Sequence, residues 1–153
     1  MKEYFDKIEK AQESTPVDVI QLAKDCGLKV FKVANWPDDL SGLIKKGETG
    51  QYEIYFNADH SEQRQRFTVA HELAHFILHR PLIGDGLVDD AMYRSGLSNG
   101  VESEANALAA DILMPRALVM ELRKKPEHTA YTLAEKFNVS QSAMDIRLGV
   151  PSS

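Results

Sequence analysis

The run RFTVAHELAHFILHR, at residues 66–80, constrains the fold more than any other part of the chain. On a helical wheel, His75 falls about 40° and His79 about 80° from His71. Glu72 falls at about 100°, at the border of the same stripe, and apolar side chains fill nearly all of the remaining circumference. A helix of this kind is buried. Because burying the polar stripe without partners would cost on the order of several kcal/mol, the fold must supply partners for it.

A divalent metal is one partner that fits the spacing of the stripe. Histidines at positions i and i+4 project from one face of a helix, so the ring nitrogens of His71 and His75 can bind one Zn²⁺ at about 2.0–2.1 Å. Glu72 lies beside that face and is the expected general base, which accepts a proton from a water molecule that the zinc acidifies. The alternative is a core helix whose histidines are hydrogen-bonded to other protein groups. His79 lies a further turn along the axis, so we expect it to support a ligand or to pack rather than to bind the metal.

A catalytic zinc usually has three protein ligands and one open position for water. The acidic candidates downstream of the histidines are Asp85, Asp89, Asp90, Glu102 and Glu104. On a wheel of VESEANALAADILMP, Glu102 falls inside the apolar arc at about 100°, whereas Glu104 falls on the solvent side at about −60°. We therefore predict that Glu102 is the third ligand and that Asn106, one turn on, orients a ligating side chain. The alternative for Glu102 is a buried ion pair with Arg64 or Arg94.

These two motifs together resemble the ImmA/IrrE family of metallopeptidases. RFTVAHELAHFILH matches the family's helix with HExxH, ESEANALAADILMP matches its ExxAN…LMP helix, and the resemblance covers roughly residues 15–116. It implies a zincin, a zinc-dependent endopeptidase of thermolysin-like arrangement. By this resemblance, one catalytic zinc is bound by His71, His75 and Glu102, and Glu72 is the general base. It also implies the substrate, because members cleave a cognate helix-turn-helix repressor and so relieve repression in mobile-element induction or a stress or DNA-damage response.

The residue that stabilises the oxyanion, which peptide hydrolysis also needs, is not identified by either motif. Tyr93, Arg94, His60 and Tyr131 stay open as candidates. Two other functions also stay open. One is a non-catalytic regulator that binds a repressor or DNA, and the other is the toxin component of a toxin–antitoxin pair.

The order of the elements predicts an α+β fold, with a small antiparallel sheet, a zincin-like helical core and a helix-turn-helix-like C-terminal subdomain. We expect a metallopeptidase domain at residues 1–115 and a small helical subdomain at 116–153 that packs on it. A helix should begin at Ser14 or Thr15 and end at Gly27. The strands are expected in LKVFKVA, in a hairpin of LSGLIKK and QYEIYFN around GETG, and in LVDDAMY.

The C-terminal segment TLAEKFNVSQSAMDIRL has the spacing of two short helices around a turn. Asn138 is expected in the left-handed turn position, and Ser140 is expected to cap the second helix. That second helix offers DNA only Gln141, Ser142 and Arg147, and residues 116–153 contain six Lys/Arg against four Asp/Glu. A helix that reads DNA normally carries a clear basic footprint. DNA binding is therefore disfavoured relative to packing on the peptidase domain or binding a repressor.

Composition limits the setting in which the chain works. The single cysteine, Cys26, excludes an internal disulfide and a four-cysteine zinc site. The charged segment MKEYFDKIEK does not resemble a secretory signal, and no run approaches the roughly 18 apolar residues of a membrane span. The net charge of −5 argues against sequence-independent binding of nucleic acid. These features predict a cytoplasmic protein with no membrane partner.

Overall fold

The structure is a computed structural model that describes residues 1–84, 86–90 and 99–150, with 87–90 described through their backbone. Seven helices and four strands are assigned in these ranges. The helices are α1 Lys2–Ala11, α2 Val19–Asp25, α3 Glu62–Leu78, α4 Asn99–Leu113, α5 Arg116–Arg123, α6 Ala130–Phe137 and α7 Gln141–Leu148. The strands are β1 Lys29–Val33, β2 Leu40–Lys46, β3 Tyr52–Asn57 and β4 Leu87–Asp90, and a short 3-10 helix spans Arg80–Leu82.

The four strands form one mixed sheet in the order β1-β3-β2-β4. The hairpin of β2 and β3 is antiparallel, as the sequence predicted, and β4 pairs antiparallel with β2. The prediction of a wholly antiparallel sheet is wrong, because β1 pairs in parallel with β3, with Val30 opposite Ile54. The physical reason is that β2 lies one place away from β1 and β3 returns into the place between them. Strand β3 is therefore antiparallel to β2 and runs in the same direction as β1.

Helix α3 lies between the sheet and α4 and contacts β2, β3, α2 and α4. This position explains why the helix is apolar on nearly every side, since each side faces another element. Val69, Leu73 and Ala74 of α3 are fully buried, as are Ile44 and Ile54 on the strands beneath them. The polar stripe of α3 is thereby fixed at the boundary with α4.

The N-caps of α2 and α3 are side chains that accept a hydrogen bond from a backbone N–H in the first turn of each helix. Helix α3 begins after Ser61, whose hydroxyl accepts from the backbone N–H of Arg64. The predicted start of α2 at Ser14 or Thr15 is wrong, because Asp18 is the N-cap and accepts from Gln21 at 3.1 Å. A carboxylate one turn further on therefore caps the helix. Helix α1 was not predicted at all.

Helices α6 and α7 are joined by a tight turn that the sequence analysis anticipated. Asn138 adopts the left-handed conformation, with φ 53° and ψ 53°, and Ser140 caps α7 through the N–H of Ala143. Buried apolar side chains of the α6–α7 pair, such as Leu133 and Met144, belong to the common core, and an ion pair of 3.0 Å joins Arg147 on α7 to Asp111 on α4. Within the described ranges, no helix combines the length and the apolar character that crossing a membrane requires.

Candidate metal centre

Helix α3 brings His71, Glu72 and His75 together in the interior, where each is at most 3% exposed. The two histidines are separated by one helical turn, and their rings meet edge to face with centroids 4.6 Å apart. Their Nε2 atoms approach to 3.1 Å, so both rings aim the same nitrogen at one point. The i, i+4 spacing therefore has the geometric consequence that the sequence analysis expected from it.

Helix α4 crosses this point and contributes Glu102. One carboxylate oxygen of Glu102, Oε2, lies 3.3 Å from His71 Nε2, and the other, Oε1, lies 3.1 Å from His75 Nε2. The Glu102 side chain is only 12% exposed, which agrees with its place in the apolar arc of the wheel. The alternative partner Arg64 donates instead to the hydroxyl of Ser41 at 3.0 Å, and Arg94 lies outside the described residues.

The three side chains suit a divalent metal in both chemistry and spacing. The group of His71, His75 and Glu102 offers one ligand atom each, all within 4.8 Å of one another. In a tetrahedral zinc site with bonds of about 2.0–2.1 Å, neighbouring ligand atoms lie about 3.3–3.4 Å apart. The two Nε2 atoms lie 3.1 Å apart, and the contacts of His75 and His71 with different oxygens of Glu102, at 3.1 and 3.3 Å, also come close to that value. Two imidazoles and one carboxylate are also the ligand set of one major class of catalytic zinc site.

The protonation state of His75 is compatible with metal binding. Burial lowers the pKa of His75 to about 4, and the neighbouring His71 acts in the same direction, whereas Glu102 raises it. His75 is therefore neutral at pH 7. A neutral imidazole has a lone pair to donate, which a metal ligand requires.

The opposite edges of the two rings contact further polar side chains. The Asn106 side-chain oxygen lies 2.8 Å from His71 Nδ1. His79 lies past the end of α3, and its Nδ1 lies 3.0 Å from His75 Nδ1. The other ring nitrogen of His79, Nε2, lies 3.0 Å from Glu104 Oε1. From the sequence, Glu104 was considered only as a metal ligand. It was set aside because the wheel placed it toward solvent.

Glu72 lies next to the donor atoms without joining their cluster. Its Oε1 is 4.0 Å from His71 Nε2, and its side chain is 1% exposed. The side chain lies over Gly42 of β2, where a Cβ atom would come 3.7 Å from Glu72 Cγ. An added Cβ would thus be in ordinary van der Waals contact with the Glu72 side chain.

The open candidates for oxyanion stabilisation are not brought to the donor cluster by any described contact. His60 contacts the amide of Asn57 at 3.3 Å and the carbonyl of Asp38 at 2.7 Å through Nε2, so it belongs to the turn that follows β3. Tyr131 is 63% exposed on α6. Tyr93 and Arg94 lie outside the described residues, as does the ligand candidate Asp85, while Asp89 and Asp90 are described only through their backbone.

Comparison with known proteins gives one family match and several relatives. The profile of the IrrE N-terminal-like domain family, Peptidase_M78, matches residues 23–149. The chain is 37% identical over 84 residues to the radiation response metalloprotease IrrE of Deinococcus radiodurans, a match that covers 54% of this chain and 25% of that protein. It is 27% identical over 122 residues to the metallopeptidase ImmA of Bacillus subtilis, covering 78% of this chain and 69% of that protein.

A solved structure shares the fold. The match is a Mycobacterium tuberculosis transcriptional regulator, with a TM-score of 0.66 and 16% sequence identity. The alignment covers 98% of this chain and 47% of the regulator. At this identity the likeness concerns the fold alone. The chain thus matches a quarter of the first relative and about half of the solved structure.

Proposed function

The chain belongs to the IrrE N-terminal-like family of metallopeptidases, and we propose that it is a zinc-dependent endopeptidase that makes a limited cut in a helix-turn-helix transcriptional repressor. The cut would relieve repression of genes for mobile-element induction or for a stress or DNA-damage response. Such a substrate places the protein in the cytoplasm. The proposal includes a zincin-like core at residues 1–115 and a helical subdomain at 116–153.

The observation that carries the proposal is the cluster of donor atoms with a buried glutamate beside it. His71, His75 and Glu102 converge from two helices, with the two Nε2 atoms 3.1 Å apart and each within 3.3 Å of a carboxylate oxygen of Glu102. Glu72 places a carboxylate oxygen 4.0 Å from one of those atoms. A purely structural metal site has no use for a carboxylate held next to the ligands, whereas peptide hydrolysis needs a base there.

Each residue of the cluster has a distinct role in the proposed reaction. His71 and His75 donate their Nε2 lone pairs to the metal, and Glu102 completes the protein ligands with a negative charge. The zinc, when bound, lowers the pKa of a water molecule and polarises the peptide carbonyl. Glu72 accepts the proton of the attacking water and returns it to the departing amine. The apolar packing around α3 keeps bulk water from the base.

The first test removes the base and keeps its shape. Glu72→Gln should retain zinc, because Glu72 is not a ligand, and should lower the cleavage rate by about 10²–10⁴-fold. The measurement is the appearance of repressor fragments by gel and mass spectrometry, with helix-turn-helix repressors from the same genome as candidate substrates and zinc content measured in parallel. Glu62→Gln, the same change in the exposed first turn of α3, is the matched control and should cleave at the wild-type rate.

The outcomes separate this function from its rivals. Cleavage by Glu72→Gln at the wild-type rate would contradict the proposed mechanism. A stable complex of the wild-type chain with the repressor, without fragments, would indicate a regulator that binds stoichiometrically. Growth arrest on expression without the partner would indicate a toxin.

A further inference from the structure

The two histidine ligands of the proposed metal site are supported on their outer edges in different ways. His71 Nδ1 meets a neutral amide oxygen, that of Asn106, at 2.8 Å. His75 Nδ1 meets a second imidazole, that of His79, which in turn meets the carboxylate of Glu104. His75 thus begins a chain of three side chains, continued by His79 and Glu104, that ends in a negative charge at the surface.

The direction of every hydrogen bond in this chain follows from the first. If His75 binds a metal through Nε2, its ring proton is on Nδ1 and is donated to His79. His79 must then accept at Nδ1, so its own proton is on Nε2 and is donated to Glu104 Oε1. Were His79 doubly protonated, it could not accept from His75, and the proton of His75 would be forced onto the nitrogen that faces the metal.

Packing alone does not account for His79. Its side chain is only 8% exposed, and an apolar residue would fill this buried site equally well. Both of its ring nitrogens nevertheless lie 3.0 Å from polar atoms. Its backbone N–H also donates to the carbonyl of His75 at 2.7 Å, so the two residues are held together at the end of α3. Glu104, in contrast, is 65% exposed and contributes nothing to the core.

We propose that His79 and Glu104 are positioning residues that fix the tautomer and orientation of His75 and so strengthen its bond to the metal. The inference rests on the metal site of the proposed function and adds to it a dependence on two residues that do not touch the metal. Groups that hydrogen-bond a ligating histidine typically change metal affinity by about 10–100-fold when they are removed. Because Glu104 is largely exposed, its contribution is expected at or below the lower end of that range.

The test measures zinc affinity directly, by competition with a chromogenic chelator of known affinity. His79→Phe keeps the volume and removes the acceptor, so it should weaken zinc binding by about 10–100-fold. Glu104→Ala should weaken it by up to about tenfold, and Glu104→Gln, which keeps an acceptor oxygen, should lose less. In the His79→Phe background, Glu104→Ala should cause no further loss, because Glu104 acts through His79. Glu135→Gln, at an exposed position of α6, is the control.

A second measurement reports the tautomers themselves. In the zinc-loaded ¹⁵N-labelled protein, the nitrogen shifts should show the proton of His75 on Nδ1 and that of His79 on Nε2. A His79 protonated on Nδ1 would overturn the inference, and so would independent losses from His79→Phe and Glu104→Ala.

If the wild-type chain binds no zinc, the proposed function fails and this inference fails with it. If all variants bind zinc as tightly as the wild type, only the positioning role is refuted. Because Glu104 lies at the surface, its variants keep the test valid even if His79→Phe does not fold.

Discussion

Gly42 of strand β2 lies directly against Thr68 of helix α3. A Cβ atom there would overlap the methyl group of Thr68 and would lie 3.1 Å from the carbonyl oxygen of Tyr55. Gly42→Ala should therefore push α3 away from the sheet and destabilise the protein by about 1–3 kcal/mol. Urea unfolding followed by circular dichroism measures the change.

The partner of that overlap provides the control. Thr68→Ser removes the methyl group, so the double variant should recover part of the stability that Gly42→Ala loses. We expect a coupling free energy of at least about 0.5 kcal/mol in the double-mutant cycle. If the two changes are simply additive, the overlap is relieved elsewhere and the close approach is not what requires glycine.

Cys26 is the one thiol of the chain, and its environment makes it unreactive. Burial raises its pKa to about 11, although Lys7 acts in the opposite direction. An exposed thiol has a pKa of about 8.5, so at pH 8 the folded protein should hold about 200-fold less thiolate than the unfolded chain. Alkylation by iodoacetamide at pH 8 should be slower by at least this factor than in urea, and its rate should rise with pH until about 11. Equal rates in the folded and unfolded protein would show that the thiol is accessible.

The candidate site illustrates which residues a helical wheel can find. His71, His75 and Glu102 lie inside regular helices, where a rotation of about 100° per residue describes the side-chain directions well. Their meeting at one point was predicted from the helical period and from the choice of Glu102 over Glu104. Glu104 was placed correctly toward solvent, but its contact with His79 depends on a residue beyond the end of α3. No periodicity describes a side chain after a helix has ended, so this pair became visible only in the structure.

At the scale of elements, Arg66 ties three segments together. From α3 its guanidinium donates to the carbonyl oxygens of Val17, Phe137 and Asn138, at 2.7, 3.4 and 3.1 Å. These acceptors lie before α2, at the last residue of α6 and in the turn that follows it. The helix that carries the candidate ligands is thus also the anchor for the C-terminal helices.

Arg66→Met should lose all three of these hydrogen bonds while keeping most of the side-chain volume. We expect a loss of about 2 kcal/mol in the free energy of unfolding, because hydrogen bonds to charged groups contribute about 1.5–3 kcal/mol each and this side chain is partly solvated. Urea denaturation measures the loss, and hydrogen exchange should accelerate first at the amides of the α6–α7 turn. Arg116→Met, at an exposed position of α5, is the control. Unchanged exchange in that turn would contradict the anchoring role.

The sheet shows the limit of local patterns at this scale. Alternation of side chains and the GETG turn predicted each strand of the hairpin correctly, because a hairpin is decided by adjacent residues. The position of β1 depends on which edge of the hairpin remains free after the helices have packed. The pairing of β1 with β3 joins residues far apart in the sequence. The alternation of side chains within one strand does not indicate whether its neighbour runs parallel or antiparallel to it. The sequence therefore predicted the strands but not the mixed character of the sheet.

At the scale of the whole molecule, the exposed surface of α7 bears on the choice between partners. Arg147 is the only basic residue of this helix, and its side chain is 4% exposed and donates to Asp111. The exposed positions of α7 include Gln141, Ser142 and Ile146, of which Ile146 is 76% exposed. This helix therefore presents an uncharged surface with one large apolar side chain, and the whole chain carries a net charge of −5. Such a surface suits contact with a protein better than contact with phosphate groups.

We accordingly predict that the chain does not bind DNA at physiological salt. Nonspecific binding by DNA-binding proteins has dissociation constants of about 10⁻⁴–10⁻⁶ M and relies on lysine and arginine contacts to phosphates. Fluorescence anisotropy with a labelled operator duplex of the substrate repressor should show no saturable binding up to about 10⁻⁴ M protein at 0.15 M salt. The repressor itself, titrated on the same duplex, is the positive control. Micromolar binding that weakens steeply as salt is added would contradict the prediction and would assign the α6–α7 pair to DNA.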